Sequence, residues 1–226
     1  MLERVEQGAD EPSAAPLLVV VDFDGTLTAE ETLTMLVERF GDPKAQQQAE
    51  SELGRGRTLH DVIASGYSSL RVSPDEAARW LVGNVRFRPG VARFVALVRR
   101  HGWRLVIVSS GLRELIVPLL AREGLTGIDL LASSLVDAGG WQIQFAASQV
   151  CNVCGEACKR SLVTALAGSY KVVYVGDGYS DGCAALTAAR VFARRRLAAY
   201  LEERGIAFTP FDDFHEIADR LENEFC

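Results

Sequence analysis

The chain has 226 residues, of which 48% are hydrophobic and 24% are charged, as in an ordinary globular protein. This length allows one sizeable core domain with an insert, or two small domains. The net charge of −6 gives no electrostatic reason to expect nucleic-acid binding.

Residues 1–16 are acidic overall and contain two prolines, so we expect a flexible lead-in. The five apolar residues that follow, Leu17 to Val21, are too few for a signal-peptide core or a membrane span. We therefore interpret them as a buried strand and expect a cytoplasmic protein with no membrane partner.

Two carboxylates, Asp22 and Asp24, come directly after this strand, and Gly25 and Thr26 then turn the chain. Carboxylates this close to a buried strand are costly to desolvate unless a cation or a reaction uses them. A solvated, aspartate-rich turn is the alternative interpretation of this motif taken alone.

Residues 30–87 show helical periodicity and no strand-like run. One apolar stripe covers residues 33–40 and ends at Gly41-Asp42-Pro43, and a second covers residues 59–67. Ser73 precedes Pro74, with Glu76 three residues later, which is a helix-start signal. The segment is predicted to be a small all-helical insert.

From residue 88 onward, strand-like and helix-like runs alternate. This alternation predicts an α/β fold with a parallel sheet covered by helices on both faces, and a hairpin turned at Gly139-Gly140. The predicted strands are residues 104–108, 128–131, 172–175 and 191–193; the predicted helices are 91–100, 112–123, 157–167, one after 178, 197–204 and 213–222.

Three strand ends carry polar residues suited to chemistry. Parallel sheets bind ligands beyond the carboxyl ends of their strands, so these residues are expected to converge. They are Asp22 and Asp24 after the first strand, Ser109-Ser110-Gly111 after the second, and Asp177 and Asp181 after the strand at 172–175.

The converging groups suit phosphoryl transfer. Asp22, Asp24 and Asp177 offer the oxygen ligands that Mg²⁺ prefers, and nothing nearby supplies the histidine or cysteine cluster typical of zinc. Ser109 and the two amides after it could cradle a phosphate, and Lys159 could add positive charge.

In order and context, these motifs resemble those of the haloacid dehalogenase superfamily, from about residue 17 to the end of the chain. The resemblance implies a Rossmann-like core of residues 17–29 and 88–226. The helical insert at 30–87 is similar in position to the C1 cap of the phosphoserine-phosphatase-like branch.

The resemblance also implies roles for individual residues. Asp22 would attack phosphorus and form an aspartyl-phosphate, while Asp24 would protonate the leaving oxygen and then activate water. Because true dehalogenases of the superfamily lack the second aspartate, phosphate-ester hydrolysis is expected. The remaining implied roles are phosphoryl binding by Ser109 and Lys159, Mg²⁺ binding by Asp22, Asp177 and the Asp24 backbone carbonyl, and an outer position beside the metal for Asp181.

Two subfamilies compete for the substrate. Glu31 matches a substrate-contacting glutamate of phosphoserine phosphatases, whereas Ser180 replaces their usual asparagine. The cysteine-rich run into Lys159 and the tail at 211–217 look more like methionine-salvage phosphatases, which we favour. The expected partner is a small phosphorylated metabolite, bound by Glu31, Ser109, Ser110, Gly111, Lys159 and Ser180; monomer and homodimer are both open.

Three cysteines, Cys151, Cys154 and Cys158, are bunched before Lys159. Zinc usually takes four ligands and Cys183 is expected on a separate helix, so free or transiently oxidised thiols are favoured over a disulfide or a metal site. A non-catalytic binding module organised by these cysteines is the alternative function class. Arg55 and Arg57 either reach the substrate or belong to a solvated loop.

Overall fold

A computed structural model describes residues 16–137 and 139–225. The lead-in predicted for residues 1–16 therefore lies outside the described residues, apart from Pro16. Strand β1, Leu17–Val21, is the middle strand of a seven-stranded sheet. The other strands are β2 Arg104–Leu112, β3 Asp129–Leu135, β4 Ile143–Gln144, β5 Lys171–Gly176, β6 Arg190–Ala193 and β7 Thr209–Pro210. Their order across the sheet is β4-β3-β2-β1-β5-β6-β7. All neighbouring pairs are parallel except β3 with β4, so the predicted α/β fold with a mostly parallel sheet is confirmed.

The uninterrupted apolar sequence of β1 follows from its position. Leu17, Val19 and Val21 belong to the core on one face of the sheet, and Leu18 and Val20 belong to the core on the other. All five are at least 97% buried. A strand covered on both faces has no side that can be polar, which is why no alternation appears.

The other strands flank β1 in parallel crossovers, with the antiparallel β3–β4 hairpin at one edge. Its pairing of Leu135 with Ile143 confirms the hairpin predicted around Gly139-Gly140; Ala138 within that turn lies outside the described residues.

Ten α-helices are assigned within the described residues. Four of them fall within residues 30–87, which contain no strand. The helices are α1 Thr32–Phe40, α2 Pro43–Ser51, α3 Leu59–Ser68, α4 Pro74–Asn84, α5 Val91–Arg100, α6 Arg113–Arg122, α7 Arg160–Ala167, α8 Gly182–Ala185, α9 Arg195–Glu202 and α10 Phe214–Phe225.

Helix α2 was missing from the sequence-based prediction, which treated Gly41-Asp42-Pro43 only as a stop. The same residues also start a new helix. The Asp42 carboxylate accepts hydrogen bonds from the amides of Lys44 and Ala45, each at 3.1 Å, and Pro43 fits the first turn, where its missing N–H costs nothing. At the next junction, the predicted helix start at Ser73 is confirmed, because Ser73 and Glu76 cap each other reciprocally.

Two features of the sheet differ from the sequence-based prediction, the end of β2 and the presence of β7. The predicted turn at residues 109–111 is part of β2, whose pairing with β3 shifts register between Val108 and Leu112, and α6 begins only at Arg113. The two-residue strand β7 was not predicted, because Thr209 and Pro210 provide no apolar run.

Among the described residues, none of the helices has the length and apolar character that a membrane crossing requires.

Candidate active site

The carboxyl ends of β1, β2 and β5 meet beneath the helical segment at residues 30–87. Between them lies a cavity of about 510 Å³. Nine of the ten residues predicted for the site line this cavity, and the tenth, Asp181, lies fully buried behind it. The nine are Asp22, Asp24, Glu31, Ser109, Ser110, Gly111, Lys159, Asp177 and Ser180.

A buried lysine connects two of the strand ends. Lys159, only 2% exposed, places its Nζ 2.5 Å from Asp22 Oδ1 and 2.7 Å from Asp181 Oδ1. Burial disfavours the charged ammonium, but attraction from Asp181 and Asp22 outweighs it, so the pKa of Lys159 is raised. The lysine is therefore a fixed cation beside the predicted nucleophile.

Both carboxylate oxygens of Asp181 accept hydrogen bonds. Its Oδ1 also accepts a hydrogen bond from the Tyr174 hydroxyl at 2.8 Å, and its Oδ2 accepts the amides of Asp177 at 3.0 Å and Gly178 at 2.8 Å. A carboxylate that accepts hydrogen bonds from this many donors is held in one orientation. Its arrangement is compatible with the predicted outer position beside a metal.

Carboxylate oxygens of Asp22, Asp177 and Asp181 all lie within 4.8 Å of one another. Burial and the charge of Asp181 raise the pKa of Asp22 well above its usual range, and the same two causes raise the pKa of Asp177 to about 6. Thr26 donates to Asp177 Oδ1 at 2.8 Å and fixes its orientation. This cluster has oxygen donors and unbalanced negative charge, which together fit Mg²⁺.

Asp24 stands apart from this cluster. Its Oδ1 accepts a hydrogen bond from the backbone amide of Thr32, the first residue of α1, at 2.8 Å. Burial nevertheless raises its pKa, which favours a carboxyl that holds a proton at the edge of the cavity. The contact also ties the start of the helical segment to the predicted acid–base group.

Two glycines allow these groups to approach closely. Gly25 has a φ of +71°, and a Cβ added there would lie 2.4 Å from Asp177 Oδ2. A Cβ at Gly111 would lie 2.9 Å from Asp24 Oδ2. The Gly111 amide donates to Ser109 Oγ at 3.0 Å, so a hydrogen bond within the irregular end of β2 fixes the Ser109 side chain.

The structure adds cavity residues that the sequence analysis missed. Arg195 and Arg196 line the cavity, and an Arg195 guanidinium nitrogen lies 3.6 Å from Asp177 Oδ2; the sequence showed them only as the polar start of a helix. Gln46 comes from the unpredicted α2, and its buried Oε1 has no hydrogen-bond partner among the described residues. Capping signals at Asp42 could have identified that helix.

Two arginines of the helical segment, which the sequence leaves between a substrate contact and a solvated loop, do not line the cavity. Arg57 forms an ion pair with Glu52 at 2.7 Å, and Arg55 is exposed in the same turn. The solvated-loop interpretation of this turn is the one that the geometry favours.

The cysteines are arranged differently from expectation. Cys183 does lie on the separate helix α8 and is buried, but its sulfur is within 4.8 Å of those of Cys151, Cys154 and Cys158. The argument that a fourth metal ligand is missing was therefore wrong. Parallel crossovers bring the loop before α7 against α8, a proximity that no local pattern reveals.

Asp177 gives a prediction for stability against pH. Its pKa is higher in the folded protein than the ordinary 3.8, so its protonated form stabilises the fold below about pH 4, and this stability is lost as pH rises through about 6. The difference corresponds to at most about 3 kcal/mol. In chelator, urea unfolding at pH 4 and pH 7 should show a smaller loss for Asp177→Asn than for wild type, whereas the exposed control Asp129→Asn should match wild type.

Comparison with known proteins gives consistent results. The model of the family described as haloacid dehalogenase-like hydrolase matches residues 19–186. Curated relatives include the 2-hydroxy-3-keto-5-methylthiopentenyl-1-phosphate phosphatases of Bacillus cereus and Bacillus velezensis, each 27% identical over 91% of this chain and over 95% and 90% of their own lengths.

Solved structures show the same fold. A haloacid dehalogenase family hydrolase from Salmonella enterica serovar Typhi superposes with a TM-score of 0.75 at 17% identity, covering 95% of this chain and 75% of that one. A phospho-aspartyl intermediate analogue of phosphoserine phosphatase superposes with a TM-score of 0.71 at 18% identity, covering 90% and 97%.

Proposed function

Because the chain belongs to the haloacid dehalogenase-like hydrolases, we propose that it is a magnesium-dependent phosphomonoesterase that forms an aspartyl-phosphate on Asp22. The observation that carries this proposal is the buried ammonium of Lys159, 2.5 Å from Asp22 in a cavity shared with Asp24. The phosphatase names of relatives similar over nearly their whole length support it.

In the first half of the proposed reaction, a carboxylate oxygen of Asp22 attacks phosphorus and the bond from phosphorus to the ester oxygen breaks. The Asp24 carboxyl, whose raised pKa favours its protonated form, gives its proton to the leaving oxygen. Lys159 and the Ser109 hydroxyl, with the amides of Ser110 and Gly111, hold the phosphoryl oxygens.

In the second half, Asp24 is a carboxylate and acts as the base. It takes a proton from a water molecule, whose oxygen attacks phosphorus while the bond to Asp22 breaks. Inorganic phosphate leaves, and Asp22 and Asp24 return to their starting protonation states.

Asp22, Asp177 and the backbone carbonyl of Asp24 would hold Mg²⁺, with Asp181 outside the ligand set. When bound, the ion supplies positive charge that neutralises the nucleophile and the phosphate. Asp181 contributes by fixing both Lys159 and the Asp177–Gly178 amides, so that the loop keeps its shape before a ligand arrives.

Substitution of the acid–base group gives the next prediction. Asp24→Asn should lower kcat by about 10²- to 10⁴-fold while still binding phosphate, because the amide keeps the Thr32 contact but transfers no proton. Steady-state kinetics and competitive inhibition by inorganic phosphate measure the two effects. An unchanged kcat would remove Asp24 from the role assigned to it.

The helical segment contributes five aliphatic side chains to the cavity, which supports a substrate with an apolar group over one with a carboxylate. Among the described lining residues, the positively charged ones are Lys159, Arg195 and Arg196, all outside residues 30–87. A substrate carboxylate therefore meets no cation on the segment, whereas an aliphatic or thioether group meets hydrocarbon. The aliphatic side chains are Leu33, Leu53, Leu59, Val62 and Ile63, and the same segment also places Glu31, Thr34, Gln46, Glu50 and Tyr67 on the cavity.

We accordingly favour a methionine-salvage-like phosphatase. Residues 30–87 act as a cap whose helices select the organic part of the substrate, above a core formed by residues 17–29 and 88–226. A phosphoserine-like substrate is the second candidate, because Glu31 at the cavity could face an ammonium group. Loss of surrounding water and the charge of Asp24 raise the pKa of Glu31 to about 8. At neutral pH this carboxyl is therefore mostly protonated and attracts an ammonium group only weakly. The cytoplasmic location stays a prediction.

A panel of phosphate esters tests this function. We expect activity that is lost in chelator and restored by Mg²⁺, with a kcat/KM at least about tenfold higher for hydroxyketo or enol phosphates that carry a thioether than for phosphoserine. A preference for phosphoserine would reverse the substrate assignment. No turnover of any ester would favour the non-catalytic binding module.

A further inference from the structure

The loop that leads into Lys159 and the short helix α8 together carry a cluster of four cysteine sulfurs. Cys154 Sγ lies 3.5 Å from Cys158 Sγ, Cys151 Sγ lies 3.8 Å from Cys183 Sγ, and all four are within 4.8 Å of one another. We propose that Cys151, Cys154, Cys158 and Cys183 form a structural zinc site that is separate from the magnesium site.

The spacing of the sulfurs matches tetrahedral coordination. With a Zn–S bond of about 2.3 Å, the four sulfurs of a tetrahedral site lie about 3.8 Å apart, close to the 3.5 and 3.8 Å of the two hydrogen-bonded pairs and below the 4.8 Å limit on the rest. A disulfide needs sulfurs about 2.05 Å apart, closer than either observed pair, and two disulfides would give two separate pairs with no reason for the pairs to lie together. One ion at the centre of the cluster accounts for all four.

The backbone around the first two cysteines has the form of a metal-binding turn. Gly155, with a φ of +75°, follows Cys154, and its amide donates to the Cys151 carbonyl at 2.9 Å, which closes the turn. The Val153 amide points at Cys151 Sγ at 3.4 Å. Amide hydrogen bonds of this kind stabilise a thiolate, which is the form of cysteine that binds metal.

The surroundings favour zinc over harder ions. Four sulfur donors select zinc or iron–sulfur chemistry rather than Mg²⁺, and tetrahedral four-sulfur sites are closed structural sites. Arg160 donates to the Cys183 carbonyl at 3.2 Å, so a guanidinium lies beside the negative charge that four thiolates and one zinc would carry.

The position of the site in the chain gives it a structural consequence. Cys158 directly precedes Lys159, and Cys183 comes two residues after Asp181. A metal bound to both would fix the relative position of the two segments whose side chains form the 2.7 Å ion pair between Lys159 and Asp181. Within residues 150–158 the backbone is held by the bridge between Val150 and Ala157 and by two hydrogen bonds inside the turn, and a metal would add a constraint that joins this loop to α8.

Metal analysis of full-length protein, purified without chelator and with zinc in the growth medium, tests the inference. We expect about one zinc per chain in wild type and in Asp177→Asn, and loss of that zinc in Cys154→Ser and Cys183→Ser. Cys226→Ser, at the fifth cysteine, is the matched control and should keep the metal. Replacement by Co²⁺ should produce the intense thiolate-to-metal absorption of a tetrahedral site.

Several outcomes would overturn the proposal. These are zinc that is lost in Asp177→Asn but kept in the cysteine variants, iron in place of zinc, or no zinc together with no thiolate absorption on adding Co²⁺. A disulfide between any two of the four, found by peptide mapping of unreduced protein, would also overturn it. None of these measurements uses phosphatase activity, so the inference stands or falls separately from the proposed function.

Discussion

Asp22→Asn is expected to abolish phosphate-ester hydrolysis, with kcat reduced on the order of 10⁴-fold or more. The reason is that the amide nitrogen and oxygen cannot form the covalent link to phosphorus on which the rest of the reaction depends. Activity against a generic aryl phosphate at saturating Mg²⁺ measures the effect. The matched control is Asp129→Asn, an exposed carboxylate paired with Arg104 at 3.1 Å, which should keep wild-type kcat.

The same variant should leave the fold intact. Asp22 is buried next to Asp177 and Asp181, and its pKa is raised by loss of water and then by the charge of Asp181. Removing its charge relieves this repulsion while a hydrogen bond to Lys159 can persist. In chelator, the melting temperature of Asp22→Asn should equal or exceed that of wild type. A variant that is inactive because it unfolds would show the opposite, and residual kcat near wild type would exclude Asp22 as the nucleophile.

The second large effect is expected at Lys159. Lys159→Met leaves the carboxylates of Asp22 and Asp181 buried without their shared cation. Breaking a buried ion pair by removing one partner typically costs about 3–5 kcal/mol, so the free energy of unfolding in chelator should fall by about that amount. Phosphoryl binding should be lost with it, because the same ammonium is the proposed partner of the phosphoryl oxygens.

A double-mutant cycle separates this cause from simple loss of packing. In an Asp181→Asn background, Lys159→Met should cost less than in wild type, because one of the two stranded carboxylates is gone. The surface control Lys44→Met removes an exposed ammonium and should change the free energy of unfolding by less than about 0.5 kcal/mol. Equal costs of Lys159→Met in both backgrounds would show that Asp181 and Lys159 do not depend on each other.

Much of the site follows from the sequence because a parallel sheet turns distant motifs into neighbours. The apolar run at Leu17–Val21 is readable as a strand buried on both faces, and Asp22, Ser109 and Asp177 come at the ends of strands that lie side by side. Their convergence in one cavity required only the rule that ligands bind at the carboxyl ends of such strands.

Helix α2 and the last residues of β2 could not be predicted from apolar periodicity, each for its own physical reason. Helix α2 has no apolar stripe and is defined by its cap at Asp42 and by its packing, so periodicity could not reveal it. The extension of β2 through Gly111 depends on pairing with β3, since serine and glycine have weak strand preference of their own. For β2 a contact between distant segments overrides the local pattern, whereas for α2 the signal is local but lies in the cap and not in the periodicity.

Cys183 and Arg195 show most clearly which contacts sequence spacing cannot predict. The local sequence correctly places Cys183 on a packed helix and Arg195 at the charged start of another helix. Their second roles, beside three other sulfurs and beside Asp177, arise because separate crossovers end at the same place. Sequence spacing within one segment carries no information about such meetings.

The most direct test of the central claim is acid-quenched mass spectrometry of the enzyme during turnover. With an aryl phosphate, whose leaving oxygen needs little protonation by Asp24, we predict a phosphoryl group on the peptide that contains Asp22, converted to homoserine at that position by borohydride reduction. The adduct should be present in larger amount in Asp24→Asn, because hydrolysis of the intermediate loses its base while its formation is little affected. Turnover by wild type with no adduct in either protein, or an adduct on a carboxylate other than Asp22, would contradict the account.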